Sequence, residues 1–444
     1  MFATTPLSAI GAQTTAIVWT VTGGGENSDM GFAVASDPAG NAVVVGRVAD
    51  MAVLAGSLPD PAGDLDAVIA KFDQNGQPVW TRRPGGPGRD TARDVAIDPD
   101  GNTLVTGFFR DTSDFGGTSA TSVGHRDVFV AKYDPAGALV WLHRAGGPRI
   151  DEGRGVAADG NGNVLVTGGF EGQASFAEDV SVSAEKGGYA FVAKYAPDSA
   201  LLWVRKAGGG KYTWGNSIVT DTAENILVSG AFSKKATFDD TTLKSAGDLD
   251  VFIAKYDPDG NLLWAQSVGG SGRDITYSIA TDKADNVLVA GMFSRTANFS
   301  GVQLKAVGGK DAFVAKFTPD GTLAWALSIG GRGNDSVGGI ASDAAGNVLL
   351  TGSFQGTLTV GKATLTSAGD SDIFVAALDP EGTLLSASAA GGTGRDNGYG
   401  IASDSRGGAY VTGSFTATAA VDGETLRSAG SDDLFIAKLK YRKP

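Results

Sequence analysis

Short apolar runs alternate with turn residues along the whole chain, and their order recurs. In one stretch, a run from Ser278 to Thr281 enters a turn and a second run from Val287 to Gly291 leaves it. A run from Asp250 to Tyr256 leads into an Asp-Pro-Asp-Gly turn and a fourth run from Leu262 to Ala265. Runs of this length, bounded by Gly, Pro and Asp, are typical of β-strands, and tight turns join antiparallel neighbours. The pattern therefore predicts four antiparallel strands in meander order.

The turn between the first two strands marks a repeat. It has the form Asp-x-x-Gly-Asn, followed by a short apolar strand and a glycine, as in Asp98, Gly101, Asn102 and Gly107. The leading aspartates recur at intervals of 61 or 62 residues, at Asp37, Asp98, Asp159, Asp221, Asp282, Asp343 and Asp404, so that seven copies fill the chain. A four-stranded unit repeated in this way predicts an all-β fold, a seven-bladed β-propeller with four antiparallel strands per blade.

The two ends of the chain predict how the ring closes. The last copy has a third strand that ends at Lys440 and no fourth strand of its own. The missing strand matches residues 17–24, because Trp19 precedes Trp80, the tryptophan of the next fourth strand, by 61 residues. We therefore predict one propeller over residues 15–440 with residues 15–24 completing the last blade, a disordered N-terminal tail over residues 1–14 and a C-terminal tail over residues 441–444.

The amino-acid composition excludes several classes of function. The chain has no cysteine and only two histidines, which excludes disulfide scaffolds, thiol catalysis and histidine-rich metal sites. Aspartate outnumbers glutamate 41 to 8 in a chain of formal net charge −13, as expected for a turn-rich protein. This charge and the lack of a basic cluster argue against nucleic acid partners, and no apolar run is long enough to span a membrane. Residues 1–14 lack the pattern of an intact signal peptide.

The blade pattern resembles a known bacterial repeat. Its consecutive segments are Asp-x-x-Gly-Asn-x-x-x-x-Gly, then Asp-x-Phe-x-Ala-Lys-x-Asp-Pro-x-Gly-x-Leu-x-Trp, then Gly-Gly-x-Gly-x-Asp. Over residues 16–440 they resemble the SBBP repeat, a family named for seven-bladed beta-propellers. The resemblance implies an extracytoplasmic or surface-associated bacterial protein, and it carries over no catalytic residue.

Two kinds of connection predict where a ligand would bind. The links between second and third strands and the Gly-Gly-x-Gly-x-Asp links between blades lie on one face, which we expect to carry long loops and any binding surface. Six aspartates of the inter-blade links should form a ring at the channel mouth, Asp29, Asp90, Asp151, Asp274, Asp335 and Asp396. Capping of the amides of their own loops is the favoured interpretation, and calcium binding or direct ligand contact are the alternatives. Calcium is thus the candidate cofactor.

The repeat departs from its usual residues between the third and fourth copies. Tyr189 stands where other copies have an aspartate at the start of the third strand, and Thr213 replaces the ring aspartate. Trp214 is the one tryptophan outside the fourth-strand column. Tyr189, Tyr212 and Trp214 therefore predict an aromatic patch for stacking on a sugar or packing on a partner, with neutral drift in a redundant copy as the alternative.

These features favour a non-enzymatic, extracytoplasmic binding or scaffold propeller. We expect a monomer that engages a protein or glycan partner through its long-loop face. A purely structural surface spacer is the first alternative. A channel-based enzyme is the second, because the turn between third and fourth strands looks similar to the tryptophan-docking repeats of quinoprotein dehydrogenases. No Ser/His/Asp order or pair of catalytic carboxylates stands out in support of the enzyme.

Overall fold

The computed structural model describes residues 14–49, 51–54, 56, 58–404, 406–421 and 424–442. Every regular element that these residues form is a β-strand, so the fold is all-β and propeller-like, as the sequence predicts. Of the two predicted tails, residues 1–13 and 443–444 lie outside the described residues. Thr14 opens the first strand, and the last strand runs to Arg442.

Numbered in chain order, the strands occupy four positions, with additional short strands between the second and third. First-position strands are β2 (Met30–Ser36), β7 (Thr91–Ile97), β13 (Glu152–Ala158), β17 (Thr213–Thr220), β23 (Ile275–Thr281), β29 (Ser336–Ser342) and β35 (Asn397–Asp404). Second-position strands are β3 (Ala42–Ala49), β8 (Thr103–Phe109), β14 (Val164–Ala177), β18 (Ile226–Phe232), β24 (Val287–Phe293), β30 (Val348–Phe354) and β36 (Gly408–Val421).

Third-position strands are β5 (Leu65–Phe72), β11 (Asp127–Tyr133), β15 (Val180–Tyr195), β21 (Asp250–Tyr256), β27 (Asp311–Phe317), β33 (Asp372–Leu378) and β37 (Glu424–Arg442). Fourth-position strands are β6 (Pro78–Arg82), β12 (Leu139–Ala145), β16 (Leu201–Gly208), β22 (Leu262–Gly270), β28 (Leu323–Ile329), β34 (Leu384–Gly392) and β1 (Thr14–Gly24). The additional strands are β4 (Val53–Leu54), β9 (Thr112–Asp114), β10 (Ser119–Thr121), β19 (Lys235–Phe238), β20 (Thr241–Lys244), β25 (Thr296–Phe299), β26 (Val302–Lys305), β31 (Thr357–Val360) and β32 (Ala363–Thr366).

One strand from each position pairs antiparallel with the next, and each such group is called a unit and named by its first strand. The units are β2-β3-β5-β6, β7-β8-β11-β12, β13-β14-β15-β16, β17-β18-β21-β22, β23-β24-β27-β28, β29-β30-β33-β34 and β35-β36-β37-β1. In the β35 unit the fourth strand comes from the N-terminus, and β1 pairs with β37 from Thr14 with Arg442 to Gly23 with Leu434. Each first strand contacts the first strand of the next unit, and β35 contacts β2, so the first strands line a common channel.

The hydrophobic core lies between neighbouring units. One cluster joins Val45 and Ile69 of the β2 unit to Val105 and Phe129 of the β7 unit, all fully buried. An equivalent cluster joins Tyr410 and its neighbours in the β35 unit to the β2 unit. Because each sheet buries both faces against adjacent sheets, removing apolar surface from water stabilises the arrangement of units as well as each unit.

Outside the β2 unit, the links between second and third strands are ordered hairpins, whereas the sequence predicts long loops. In the β23 unit the hairpin β25-β26 packs Phe299 on Phe313 of the third strand, with 5.0 Å between ring centroids. The hairpin also pairs with the fourth strand of the preceding unit, where Ala297 lies opposite Gly270. The aromatic residue gives the link an apolar contact to bury, which is why the link folds.

This pairing explains the second glycine of the Gly-Gly motif. A Cβ atom on Gly270 would lie 1.8 Å from the carbonyl oxygen of Thr296, and one on Gly331 would lie 1.7 Å from that of Thr357. No side chain fits at such a distance, so only glycine lets the hairpin backbone of the next unit approach.

A column of tryptophans on the fourth strands ties each unit to the next. Trp80 donates its indole N–H to the carbonyl oxygen of Pro135 at 3.1 Å, in the turn between the third and fourth strands of the β7 unit. Equivalent bonds are made by Trp19, Trp141, Trp203, Trp264 and Trp325. Ser386 replaces tryptophan at the junction with the β35 unit, whose third and fourth strands are the two ends of the chain. The tryptophan is therefore missing where no such turn exists for it to contact.

A column of lysines on the third strands holds the Asp-x-x-Gly-Asn turns. Lys132 lies 2.8 Å from Asp98, and both side chains are buried. Burial alone would raise the pKa of Asp98, but hydrogen bonds from Lys132 and Asn102 lower it overall. Equivalent ion pairs join Lys71 to Asp37, Lys194 to Asp159, Lys255 to Asp221, Lys316 to Asp282 and Lys438 to Asp404.

We expect Trp80→Phe to lower the free energy of unfolding by about 1–2 kcal/mol, because the variant loses the bond to Pro135 and part of the buried ring. A urea titration followed by circular dichroism measures this change. Val79→Ala is the control, since Val79 is 52% exposed on the same strand and its truncation should cost less than about 0.5 kcal/mol. Equal midpoints for the two variants would contradict an inter-unit role for the tryptophan.

Candidate functional site at the channel mouth

The six predicted ring aspartates lie at the junctions between units and are 0–2% exposed. One carboxylate oxygen of each accepts the amide N–H of the glycine four residues earlier, at 2.7–2.9 Å. The other accepts an amide N–H twenty residues later, at 2.6–3.2 Å. Each aspartate thus joins its own link to the end of the following second strand. Calcium binding and direct ligand contact at these residues stay predictions.

Each ring aspartate has a second buried aspartate beside it, at the start of a third strand. Asp274 donates its backbone N–H to the carbonyl of Leu249, the residue before Asp250. A Cβ atom on Gly391 would lie 2.8 Å from one oxygen of Asp372 and 2.8 Å from one oxygen of Asp396, so both carboxyl groups flank the same glycine. We call these couples acid pairs; they are Asp66 with Asp90, Asp127 with Asp151, Asp250 with Asp274, Asp311 with Asp335, Asp372 with Asp396 and Asp433 with Asp29.

Burial raises the pKa of the ring aspartates. Backbone hydrogen bonds oppose the rise and the paired aspartate adds to it, so that the pKa is about 7 for Asp90, Asp151 and Asp274 and about 6 for Asp29, Asp335 and Asp396. Arg83 and Arg144 neutralise two of the pairs through Asp66 and Asp127. No such cation appears among the described ion pairs of Asp250 or Asp372, and burial raises the pKa of both carboxyl groups. These pairs therefore favour retention of a proton.

The three residues of the predicted aromatic patch do not form one cluster in the structure. Tyr212 and Trp214 stack with 5.9 Å between ring centroids and 18° between planes. Trp214 is only 5% exposed, and the guanidinium of Arg154 lies 4.2 Å above its ring. Tyr189 packs instead against Phe170, at 6.0 Å. The two stacked rings therefore support an arginine of the channel, and Trp214 presents little surface of its own to a ligand.

A cavity of about 460 Å³ opens at the start of the first strands, on the face of the inter-unit links. Each first strand has a β-bulge near its beginning, which places one extra residue at that point. These bulge residues line the cavity; they are Phe32, Arg93, Arg154, Asn216, Tyr277, Gly338 and Tyr399. Ser336, Ser353, Asn397 and Gly398 complete the lining, and no ring aspartate belongs to it.

The bulge position differs in chemistry between copies of a repeat that is otherwise uniform. It holds two arginines, two tyrosines, a phenylalanine, an asparagine and a glycine, whereas the aspartate, glycine and phenylalanine columns nearby barely change. The sequence analysis missed this site because it examined the repeated residues. A comparison of copies for the column that varies most in size and charge would have found it.

The positive charge of the mouth is concentrated on one side. Arg93 experiences the negative charge of Glu152 and the positive charges of Arg154, Arg47 and Arg126, so three further guanidinium groups lie within electrostatic range of it. Glu152 pairs with Arg126 at 2.8 Å and with Arg154 at 2.9 Å. On the other side the lining is neutral, with tyrosine, serine and asparagine side chains. The arrangement can therefore bind a ligand that has one anionic end and one polar, uncharged end.

We expect the melting temperature to rise as the pH falls from 8 to 5. The ring aspartates have a folded-state pKa of about 6 to 7, above their value of 3.8 in the unfolded chain, so their favourable contribution is complete below pH 3.8 and is lost as the pH rises through 6 to 7. Burial lowers the pKa of His143, which opposes this trend, whereas burial raises the pKa of Asp94 to about 7 and adds to the effect of the six ring aspartates. Differential scanning calorimetry across this range measures the slope.

Asp274→Asn should reduce that slope, because the variant removes one of the titrating groups. Asp257→Asn is the matched control, since hydrogen bonds from Asn261 hold the pKa of this exposed turn aspartate below its usual value, outside the range tested. A melting temperature that falls between pH 8 and pH 5, or equal slopes for the two variants, would contradict the raised pKa of the ring aspartates.

The family model described as a beta-propeller repeat, SBBP, matches residues 79–107 and 140–168. Both segments run from a fourth strand through the inter-unit link to the next second strand. The described residues contain no helix that is long and apolar enough to cross a membrane.

Three further proteins are similar to parts of this chain. An uncharacterised WD repeat-containing protein of Acanthamoeba polyphaga mimivirus is 22% identical, over 78% of this chain and 32% of its own length. The regulatory protein FlaEY of Caulobacter vibrioides is 25% identical, over 38% of this chain and 18% of its own length. The chain thus spans a third or less of these curated relatives. A gluconolactonase structure from Xanthomonas campestris aligns with a TM-score of 0.35 at 14% identity, over 80% of this chain and 99% of that one. The family match confirms, over these two segments, the resemblance to the SBBP beta-propeller repeat that the motifs predict.

Proposed function

We propose that this protein is a non-enzymatic, extracytoplasmic binding or scaffold propeller that engages a glycan or protein partner through its channel mouth. One observation carries the proposal: the residue that each unit inserts into the cavity differs in size and charge from copy to copy on an otherwise uniform scaffold. A structural spacer has no need for such variation. The resemblance to the SBBP repeat supports the extracytoplasmic setting.

We further propose that the units are the blades of a closed seven-bladed propeller. The pairing of β1 with β37 and the contact of β35 with β2 support closure, because they leave the β35 unit with four strands and a neighbour on each side. Removal of residues 1–24 should therefore lower the melting temperature by more than 10 °C and expose an unpaired strand edge.

Removal of residues 1–13, which leaves every described strand in place, is the control and should change the melting temperature by no more than about 2 °C. Light scattering reports whether the exposed edge of β37 causes association. Equal melting temperatures for the two shortened chains would overturn the closure.

The chemistry of the mouth favours binding over catalysis. None of the residues that line the cavity is Asp, Glu or His, so the described lining offers no carboxylate or imidazole for proton transfer. It offers instead guanidinium groups, phenol rings, amides and hydroxyl groups, which recognise a ligand by charge, stacking and hydrogen bonds.

A thermal-shift and calorimetry screen against neutral, amino and acidic oligosaccharides and short peptides tests this function. At least one class should bind, and Tyr277→Ala combined with Tyr399→Ala should weaken binding at least tenfold. Ser403→Ala is the control, because Ser403 lines the opposite mouth of the channel. Failure of every class would favour the spacer, and chemical conversion of a bound ligand would favour an enzyme.

A further inference from the structure

The channel mouth carries positive charge that the chain itself does not neutralise. We propose that this mouth binds a small sugar that bears a carboxylate or phosphate group, with the anion on Arg93 and the sugar ring against Tyr277 and Tyr399. The inference rests on the binding function proposed above and names the class of ligand.

Arg93 is a cation without a partner. In the described part of the chain it takes part in no ion pair or hydrogen bond, and its Nε is buried. The aromatic rings of Phe32 and Phe108 lie 4.8 Å and 5.5 Å from the guanidinium carbon. Burial lowers the pKa of Arg93 to about 10, so the side chain keeps its charge at neutral pH. The two rings hold this cation in place but give its N–H groups no acceptor.

The neighbouring charges leave the cluster positive. Glu152 is buried between Arg126 and Arg154 and can neutralise one of these two arginines. Arg47 is within electrostatic range of Asp432 and Asp29. Counting Arg93, four positive guanidinium groups are thus balanced only by Glu152, Asp432 and Asp29. Burial raises the pKa of Asp29 to about 6. An added anion would therefore relieve repulsion among the arginines.

The donor groups specify an oxyanion. Arg93 lines the cavity and makes no hydrogen bond within the described part of the chain, whereas Arg47 and Arg126 are not among the lining residues and contribute charge. A guanidinium presents its N–H groups as a planar fork that matches the paired oxygens of a carboxylate or phosphate. A halide or a neutral hydroxyl group would leave most of these donors unused.

The rest of the cavity specifies a sugar. Tyr277 and Tyr399 line the cavity, and its volume of about 460 Å³ is in the usual range of small-ligand sites. The tyrosine rings offer faces for the C–H side of a sugar ring, and nearby serine and asparagine side chains can hydrogen-bond to its hydroxyl groups. An acidic peptide would also meet a protein surface of net charge −13, which repels a polyanion outside the mouth.

Calorimetry with the full chain tests the proposal with five probes: galacturonate, glucose 6-phosphate, galactose, inorganic phosphate and a hexaglutamate peptide. Galacturonate or glucose 6-phosphate should bind at least ten times more tightly than galactose, and the tighter of the two separates a carboxylate ligand from a phosphate ligand. Binding should weaken as salt is raised, because a charge pair forms. Trp214, which lies under Arg154, supplies an independent fluorescence signal that Trp214→Phe should remove.

Arg93→Gln should weaken binding of the charged sugar by about 10- to 100-fold, the effect of losing a charged hydrogen-bond donor, and leave the affinity for galactose unchanged. Arg93→Lys should recover part of the affinity, because it restores the charge without the fork. Arg110→Gln is the control, since Arg110 is an exposed arginine, paired with Asp111, that does not line the cavity. Far-ultraviolet circular dichroism verifies that each variant is folded.

Equal affinity of the unaltered protein for galactose, galacturonate and glucose 6-phosphate would overturn the proposal, whether or not the Arg93 variants fold. Inorganic phosphate that binds as tightly as the charged sugars would also overturn it, as would tighter binding of hexaglutamate. Binding of neutral sugars that needs Tyr277 and Tyr399 but not Arg93 would retain the binding function and reject this inference. Failure of all probes and of the wider screen would reject both.

Discussion

The arrangement of the sheets depends on one close approach between neighbouring backbones. Where a fourth strand ends, the hairpin of the next unit brings a carbonyl oxygen to within 2 Å of the place where a Cβ atom of Gly270 would stand. Because this contact joins main chain to main chain, it fixes the distance between adjacent sheets independently of side-chain choice. The packing between sheets, the acid pairs and the tryptophan bonds all form within that fixed spacing.

The residues that hold the units together are different from the residues that line the cavity. Burial of the acid pairs costs solvation free energy, which their hydrogen bonds from backbone amides offset. At the opposite end of a unit, the buried carboxylate of Asp98 is compensated in the same way by its ion pair with Lys132. The first strand keeps its pairing on both sides of the bulge, so the sheet itself does not depend on the side chain at the bulge. Side chains such as Tyr277 and Arg93 are therefore free to vary without disturbing the sheets.

Periodicity predicted the strands and their order because turns and apolar runs act locally, and the spacing of Trp19 from Trp80 identified β1 as a fourth strand. The hairpins of the links were missed because their stability comes from contacts such as Phe299 on Phe313, between segments whose proximity no local pattern reveals. Tyr189, Tyr212 and Trp214 depart from the repeat, and this was visible in the sequence. The burial of Trp214 under Arg154 was not, because it depends on a contact between two units. The cavity could not be predicted without the β-bulge, because the bulge adds one residue to the strand without changing the apolar pattern of the sequence.

The pairing of β1 with β37 also sets an order for folding. β1 is synthesised first and its partner last, so the N-terminal strand stays without its sheet while the units between them assemble from contacts close in sequence. The loop that this pairing closes is nearly as long as the chain, and its entropy makes closure slow relative to the formation of any single unit. The β35 unit is therefore completed only after the units between β1 and β37 have formed.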